Sequence, residues 1–311
     1  MKAVGLTEFG GPEVLQVLDL PVPEAGPGEI RIRVHAAAVN PVDTLLRKGI
    51  AHVADIEPPY VPGMDAAGVV DQIGEGTDTD LAVGDNVMAV VLLSGTQGAY
   101  AEQIVVPAES VVRTPVGLSH VEAATLPMNS LTARMALDLL DLPAGATIVV
   151  TGAAGAVGGS AVQLAKADGY RVIADAAPQD EQLVKDLGAD IVLPRGAEFP
   201  ELVRKEVPDG ADGLIDTAGI AAQALRAVRD GGRAAASALS SKGTEERGIT
   251  TQNTFVPHYV REHAKLVRIQ QLAEEGRLVP RVGQTLPAEQ ADKAHRLLEE
   301  GGLRGRVVLT F

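Results

Sequence analysis

A glycine-rich turn directly after an apolar run is the feature that most restricts how this chain can fold. Thr147-Ile148-Val149-Val150 has the character of a buried parallel strand, and the residues from Thr151 onward read Thr-Gly-Ala-Ala-Gly-Ala-Val-Gly. A helix rich in small residues is predicted to follow, over 159–167. Such a strand–turn–helix unit directs backbone N–H groups at whatever lies before the helix, which suits the pyrophosphate of a dinucleotide. The alternative is a purely structural glycine turn.

The spacing of the glycines assigns a role to each position of the turn. Gly152, Gly155 and Gly158 form G-x-x-G-x-x-G, and Ala154 stands at the usual middle glycine of G-x-G-x-x-G. We expect the glycines to supply the tight turn, the close approach of backbone to ligand and the contact of helix with strand. The candidate residues of this loop are Gly152, Ala154, Gly155, Ala156, Val157 and Gly158.

Strands and helices alternate after this turn. Strands are predicted at 171–174, 191–193, 213–216 and 233–238, and helices at 180–187 and 221–228. Repeated βα alternation is typical of a doubly wound parallel sheet, so an α/β Rossmann-type fold is expected here.

The first 115 or so residues have a different pattern. Glu29 to His35 alternates polar and apolar residues, and short segments near 69–70, 87–91 and 101–106 lie between turn signals, which indicates a mostly antiparallel β unit. Helical spacing covers 120–142, 258–275 and 288–299, and a last strand is predicted at 306–309. We place one domain at 1–118 with 256–311, and the dinucleotide-binding domain at 119–255.

Charge and cysteine content exclude several classes of function. Lys and Arg number 27 against 41 Asp and Glu, a net charge of −14, which repels phosphate backbones and anionic membrane surfaces. The chain contains no cysteine, so disulfides, thiol nucleophiles and zinc sites with thiolate ligands are excluded. No apolar run reaches the roughly 20 residues of a membrane helix, and the N-terminus lacks the pattern of a signal peptide. A soluble cytoplasmic protein is expected, without nucleic-acid or membrane partners.

The choice between NAD and NADP depends on the end of the second strand of the sheet. An acid about 20 residues after the loop favours a free ribose hydroxyl, and a basic residue favours a 2′-phosphate. Asp175 follows Gly158 by 17 residues and either faces the ribose or caps the next helix. Lys185 and Arg195 are the basic candidates, and each can equally be a solvated surface residue.

At this loop the chain resembles the zinc-free quinone oxidoreductases, ζ-crystallin included, of the medium-chain dehydrogenase/reductase superfamily. The run from Ala153 to Gly158, with Gln163 and Lys166 beyond it, follows the nucleotide-loop signature of that family. Further motifs fall in family order over essentially the whole chain: Asn40-Pro41-Val42-Asp43, Pro62 to Val70, Val83 to Val87, Gly98 to Glu102, Leu131-Thr132-Ala133, Leu187 to Asp190 and Gly305 to Leu309.

The resemblance implies a split GroES-like catalytic domain beside a Rossmann domain, with the nicotinamide in the cleft between them. The acceptor of the hydride would be a quinone, an enone or another electron-poor double bond. Family members usually take NADPH and form homodimers through the edge strand of the Rossmann sheet, expected here around Ala234 to Leu239.

One agreement with the zinc-free branch and two departures from the family pattern bear on the function. The zinc-dependent relatives place a cysteine near Asn40 and a His-Glu pair where Met64-Asp65 stands, so no zinc is expected. Leu45 and Ala51 occupy the approximate places of two tyrosines that line the quinone site in several members. The Ser and Lys that often hold a 2′-phosphate are replaced by Ala177 and the acidic pair Asp180-Glu181, which weakens the preference for NADP(H). With Arg195 as a substitute, NADP(H) is still preferred and NAD(H) is possible.

The candidate catalytic residues are Asn40, Asp43 and Tyr60. Asn40 is expected to donate a hydrogen bond to the carboxamide or to the acceptor oxygen, with Asp43 orienting it. The alternative is an Asn-Pro turn in which Asp43 caps a helix. Tyr60 is a candidate proton donor or, in its Pro-Pro-Tyr context, a loop anchor.

The remaining cofactor candidates lie outside the glycine loop. Thr132 is expected to contact the nicotinamide, or else to cap a helix, and Phe255 to line the nicotinamide side, or else to belong to the core. The set consists of Asn129, Thr132, Asp175, Arg195, Thr217, Ser237 and Phe255.

These observations predict a zinc-free, NAD(P)H-dependent oxidoreductase that reduces quinones or α,β-unsaturated carbonyls. Two alternatives stay open: a tailoring enoyl reductase for a specialised metabolite, with Leu45 opening the pocket to a larger apolar acceptor, and a cofactor-binding sensor with negligible turnover.

Overall fold

The computed structural model describes residues 1–50, 57–93, 98–236 and 246–311. The chain divides into two compact units, the first formed by Met1–Met128 with Val260–Phe311 and the second by Asn129–Tyr259. The sequence places the first boundary ten residues earlier, at 118. The difference arises because the helix at 120–123 packs on strands of the first unit.

The described residues form fifteen strands and nine α-helices. The strands are β1 (Lys2–Gly5), β2 (Gln16–Asp19), β3 (Glu29–Ala38), β4 (Asp65–Ile73), β5 (Asn86–Val90), β6 (Gln103–Pro107), β7 (Val111–Arg113), β8 (Thr147–Thr151), β9 (Arg171–Ala176), β10 (Ile191–Pro194), β11 (Ala211–Asp216), β12 (Val228–Ala236), β13 (Thr250–Asn253), β14 (Val282–Pro287) and β15 (Arg306–Thr310). The helices are α1 (Pro41–Arg47), α2 (His120–Ala123), α3 (Pro127–Leu140), α4 (Ala156–Ala167), α5 (Glu181–Asp186), α6 (Phe199–Glu206), α7 (Ala221–Ala224), α8 (His263–Glu274) and α9 (Ala291–Glu300).

The first unit is built around a mostly antiparallel sheet of order β14-β15-β3-β4-β5-β7, with β6 also paired to β3. Only β14 and β15 run parallel among its pairs. The alternation predicted for β3 is confirmed, because Ile30, Ile32 and Val34 are buried while Arg33 between them is exposed. Aliphatic side chains and alanines form nearly all of this core, since the chain holds few aromatic residues.

The second unit contains a six-stranded parallel sheet of order β10-β9-β8-β11-β12-β13. The chain first builds outward from β8 to β10 and then returns to the other side of β8, so the order reverses between β8 and β11. In doubly wound sheets, ligands bind at the carboxyl ends of the strands at such a switch point. The predicted α/β Rossmann-type parallel sheet and the predicted mostly antiparallel β unit are both confirmed, and the glycine turn follows β8 at this switch point.

Two local predictions need correction. The predicted helix over 221–228 ends early, because Leu225–Ala227 is a 3₁₀ turn and Val228 already begins β12. The expected sheet edge around Ala234 to Leu239 is wrong, because β12 lies between β11 and β13 and the edge strand is β13. The sequence did not reveal β13, since Thr-Thr-Gln-Asn carries no apolar signal. Residues 237–239 lie outside the described residues.

None of the helices in the described ranges combines the length and apolar character needed to cross a bilayer.

Candidate active site

The glycine loop joins the end of β8 to the start of α4 in the second unit. Gly152 has a φ of +70°, and a β-carbon there would lie 2.6 Å from Oγ1 of Thr217. A β-carbon on Gly158 would lie 2.2 Å from the carbonyl oxygen of Gly152. Both positions therefore exclude a side chain, and the backbone is exposed to a ligand there.

The N-cap of α4 is Gly155, which has no side chain to cap the helix. A twelve-residue helix that begins in this way directs its N-terminal N–H groups and the positive end of its dipole toward a ligand. A diphosphate fits this chemistry, so the residues present suit a dinucleotide. Ala154 is buried, and Ala156 and Val157 form the first turn of the helix.

Thr217, one of the predicted cofactor-site residues, lies beside this loop. Its hydroxyl donates a hydrogen bond to the carbonyl oxygen of Thr151 at 2.7 Å, which holds the end of β11 against the turn after β8. Thr151 in turn donates from Oγ1 to Oδ1 of Asp216 at 2.6 Å. Sequence reasoning missed Thr151 and Asp216, although an acid at the end of an apolar strand was a signal that could have found Asp216.

Asp175 at the end of β9 binds the backbone of the glycine loop. Its Oδ1 accepts hydrogen bonds from the amides of Gly152, at 2.6 Å, and Ala153, at 3.2 Å. Arg195 places its Nε 3.7 Å from Oδ2 of the same carboxylate. Burial raises the pKa of Asp175, and the amide of Ala153 and the charge of Arg195 oppose that shift. The basic candidate Lys185 pairs with Glu181 on its own helix.

The other predicted residues of the second unit are more dispersed. Asn129 and Thr132 are buried in the first half of α3. Phe255 is 55 % exposed and meets the ring of His258 edge to face, with centroids 5.0 Å apart. Phe255 is therefore not a core residue, which was the alternative interpretation of this position. Ser237 lies outside the described residues.

A cluster of buried polar side chains surrounds the start of α1 in the first unit. Asn40, the N-cap of α1, donates from its backbone amide to Oδ2 of Asp43 at 2.7 Å. Asp43 also accepts from the amide of Gly63, at 2.9 Å, and from the hydroxyl of Tyr100, at 3.2 Å. Burial raises the pKa of Asp43 to about 6, against the effect of these hydrogen bonds. The helix-capping alternative therefore describes Asp43 well, whatever else it does.

The side-chain amide of Asn40 is engaged within the protein. Nδ2 donates to Oδ2 of Asp65 at 2.7 Å and to the carbonyl oxygen of Ala38 at 3.3 Å. The expected donation to a ligand would therefore need one of these contacts to open. Sequence reasoning did not include Asp65 among the site residues, although its Pro-Gly-Met-Asp motif had been noted.

Tyr100 and His295 belong to the same buried polar cluster. The hydroxyl of Tyr100 lies 3.2 Å from Nε2 of His295 on α9. Because that hydroxyl donates to Asp43, Nε2 must carry the proton of the imidazole. Burial lowers the pKa of His295 to about 3, so the ring is neutral over the physiological range.

Tyr60, the candidate proton donor, is anchored by its backbone and its ring. Its amide and carbonyl groups pair with Leu6, and its ring stacks on Phe9 with centroids 5.0 Å apart. In the described parts of the chain, its hydroxyl forms no hydrogen bond with Asn40 or Asp43. This geometry favours the loop-anchor interpretation.

The chain is similar to known proteins over nearly its whole length. Residues 26–116 match the family described as alcohol dehydrogenase GroES-like domain, and residues 187–309 match the zinc-binding dehydrogenase family. The quinone oxidoreductase of Sus scrofa is 31 % identical over 99 % of this chain and 97 % of its own length. The NADPH-dependent alkenal/one oxidoreductase, chloroplastic, of Arabidopsis thaliana is 32 % identical over 99 % of this chain and 79 % of its own length.

Solved structures match over the same extent. The crystal structure of an NAD-dependent alcohol dehydrogenase is 36 % identical with a TM-score of 0.88, and covers 100 % of both chains. The quinone oxidoreductase from Coxiella burnetii is 28 % identical with a TM-score of 0.87, covering 100 % of this chain and 99 % of its own. One matching family is named for zinc, yet this sequence has no cysteine, and the described ranges contain no group of three or more His, Asp or Glu placed to hold a metal ion.

Proposed function

The chain belongs to the quinone oxidoreductase family of the medium-chain dehydrogenase/reductase superfamily, and on that premise we propose that it reduces quinones or α,β-unsaturated carbonyls without a metal ion. When bound, the reduced nicotinamide supplies the hydride. The observation that carries the proposal is the loop from Gly152 to Gly158, whose backbone admits no side chain at either end and leads into a helix capped by glycine.

The loop holds the dinucleotide through backbone groups. The N-terminus of α4 binds the diphosphate through N–H groups and the helix dipole. Thr217 fixes the turn by its hydrogen bond to Thr151, and Asp175 fixes the same turn from the other side through the amides of Gly152 and Ala153. The loop is therefore preorganised, which reduces the entropy lost on binding.

The proposal of metal-free chemistry is supported by the pair Asn40 and Asp65. These residues stand where the zinc-dependent relatives are expected to carry a cysteine and a His-Glu pair, and here they bond directly to each other at 2.7 Å. Without a Lewis acid, an alcohol or simple carbonyl is a poor substrate. A conjugated acceptor needs less assistance, because hydride adds at carbon while charge spreads onto a distant oxygen, and positioning supplies much of the rate.

We propose that Asp175 makes the protein bind NADH more tightly than NADPH, in contrast to the NADPH preference expected from the resemblance. A carboxylate at the end of β9 is the group that pairs with a ribose hydroxyl, and it repels a 2′-phosphate. Arg195 opposes this effect, but its side chain is about half exposed and its charge already faces Asp175. The names of the similar proteins support both cofactors, NADPH in one and NAD in another.

The remaining assignments are proposals of the same kind. Asn129 and Thr132 on α3 and Phe255 after β13 serve the nicotinamide, while Asn40 and Asp43 form the wall of the acceptor site. Two copies of the chain pair along the exposed edge of β13, which carries a row of backbone groups without a strand beside it among the described residues.

The test is an equilibrium titration of the purified protein with NADH and with NADPH, followed by turnover with a panel of quinones, enones and saturated ketones. We expect tighter NADH binding, and oxidation of the reduced cofactor by quinones or enones but not by saturated ketones. Binding without turnover over the panel would favour the sensor alternative. The absence of binding to either cofactor would end the oxidoreductase proposal.

A further inference from the structure

The first turn of helix α3 is capped by a carboxylate from a strand that is distant in the sequence. The amide of Met128, in the first turn of α3, donates to Oδ1 of Asp65 on β4 at 2.7 Å, although the two residues are 63 positions apart. An acceptor for the amides of a first turn normally comes from the residue just before the helix. Here that residue is Leu126, whose side chain offers no acceptor.

The other oxygen of Asp65 has a partner of its own. Oδ2 accepts the side-chain amide of Asn40 at 2.7 Å, so one carboxylate joins the N-cap of α1 to the first turn of α3. Both oxygens are engaged at short distance, and Asp65 has no exposed surface. A fully buried carboxylate with two fixed donors defines positions much more tightly than an exposed cap does.

We propose that Asp65 is a positioning residue, which caps α3 from β4 and thereby sets the place of the cofactor-binding residues in its first turns. The proposal rests on the proposed function, in which Asn129 and Thr132 bind the nicotinamide. Asn129 follows the capped amide directly, and Thr132 lies one turn further on. A shift of the first turn therefore moves both side chains.

Several ionisable groups around Asp65 affect the charge of the carboxylate that forms the cap. Asp43 on α1 repels the carboxylate and Arg306 on β15 attracts it, and the Tyr100 phenol also lies within its field. The strand neighbours opposite Asp65, Ala38 on β3 and Val90 on β5, are uncharged. Helix α2, which also packs on β4, carries His120 and Glu122. Burial raises the pKa of Asp65 to about 7, so the cap loses its charge near neutral pH.

The experiment compares the wild-type protein with Asp65→Ala, which removes both acceptor oxygens, and with the exchange variant Asn40→Asp/Asp65→Asn. The exchange variant keeps an acceptor for Met128 and a hydrogen bond between positions 40 and 65, but moves the charge, so it protects the test if the single variant folds poorly. Asp71→Ala is the matched control, since Asp71 lies on the same strand and pairs with Arg31 and Gln103.

Two quantities are measured over a range of pH: the hydrogen-exchange rate of the Met128 amide in the cofactor-free protein, and the dissociation constant for NADH. In Asp65→Ala we expect exchange about tenfold faster and NADH binding about five- to tenfold weaker, the size of a lost charged cap. The wild type should lose affinity as pH falls through about 7, the Asp65→Ala profile should be flat there, and Asp71→Ala should match the wild type.

The outcomes separate the two proposals. Unchanged exchange at Met128 in Asp65→Ala would overturn the cap. Faster exchange with an unchanged dissociation constant would overturn the positioning role while leaving the proposed function intact. If the wild type binds no dinucleotide, the proposed function fails, and the positioning role, which depends on it, fails with it.

Discussion

Gly158 stands so close to Gly152 that a β-carbon on the first would lie 2.2 Å from the carbonyl oxygen of the second. No rotamer change can relieve that contact, because the obstacle is backbone. The pair therefore fixes how α4 starts relative to the end of β8, which is the geometry that a diphosphate needs.

The first prediction is that Gly158→Ala weakens dinucleotide binding by about tenfold or more, since the added carbon must push the loop or the helix out of place. Fluorescence titration with NADH measures this. Ser160→Ala on the same helix is the control, because the Ser160 hydroxyl donates to the carbonyl oxygen of Ala156 within the helix. Equal affinity in Gly158→Ala and the wild type would mean that the diphosphate binds elsewhere.

Cofactor selectivity should respond to the charge of Asp175. In Asp175→Asn the amide oxygen can still accept from the glycine loop, but the negative charge is gone. We expect the ratio of NADPH to NADH affinity to rise by about tenfold, the effect of about 1.4 kcal/mol of removed repulsion. Arg195→Gln should shift the same ratio in the opposite direction. If the ratio of NADPH to NADH affinity is the same in both variants as in the wild type, the adenosine ribose does not bind at the end of β9.

Stability should depend on pH through Asp65. Its pKa rises from 3.8 in the unfolded chain to about 7 in the folded protein, so the folded state holds an extra proton between these values. The associated stabilisation is complete at low pH and disappears as pH rises through about 7. From about pH 5 to about pH 8, the free energy of unfolding of the wild type should fall by roughly 1–3 kcal/mol relative to Asp65→Asn.

Urea unfolding at the two pH values measures this difference. Asp43 has a raised pKa too, but it is present in both proteins and its contribution largely cancels. Parallel pH profiles for the wild type and Asp65→Asn would show that Asp65 is ionised throughout.

Pairing of two copies along β13 predicts a defined effect of proline. The amide of Thr254 donates to Ala236 on β12, and by the alternation of a strand the amide of Thr251 faces outward. Thr251→Pro removes that outward donor and should convert the dimer to a monomer in sedimentation equilibrium. Thr251→Val, which keeps the amide, should stay dimeric. A dimeric Thr251→Pro protein would move the interface elsewhere.

The anchoring of Tyr60 predicts that its hydroxyl is dispensable. Tyr60→Phe retains the ring that stacks on Phe9, and kcat should stay within about twofold of the wild type. Phe9→Leu, which removes the stacking partner, should lower the melting temperature more than Tyr60→Phe does. A loss of kcat of about a hundredfold in Tyr60→Phe would instead identify the phenol as the proton donor.

Sequence reasoning found features whose causes are local. The glycine loop was predicted because its strand, its turn and its helix are consecutive. It did not find the short elements that depend on their surroundings, such as α6 and the polar strand β13. Asp65 was not identified as a site residue, because its two hydrogen-bond partners are 25 and 63 positions away in the sequence.

The amino-acid sequence by itself determined the class of the protein. Alternating βα units, a glycine loop at the first of them, no cysteine and a strong negative charge indicate a dinucleotide-binding α/β enzyme fold. These features can be read from the sequence because periodicity and backbone sterics act over a few residues. Only the tertiary structure decided which strand forms the edge of the parallel sheet, that Asp175 binds the glycine loop, and that Asp65 joins α1 to α3. Those relationships depend on burial, which brings distant polar groups together and requires each of them to find a partner.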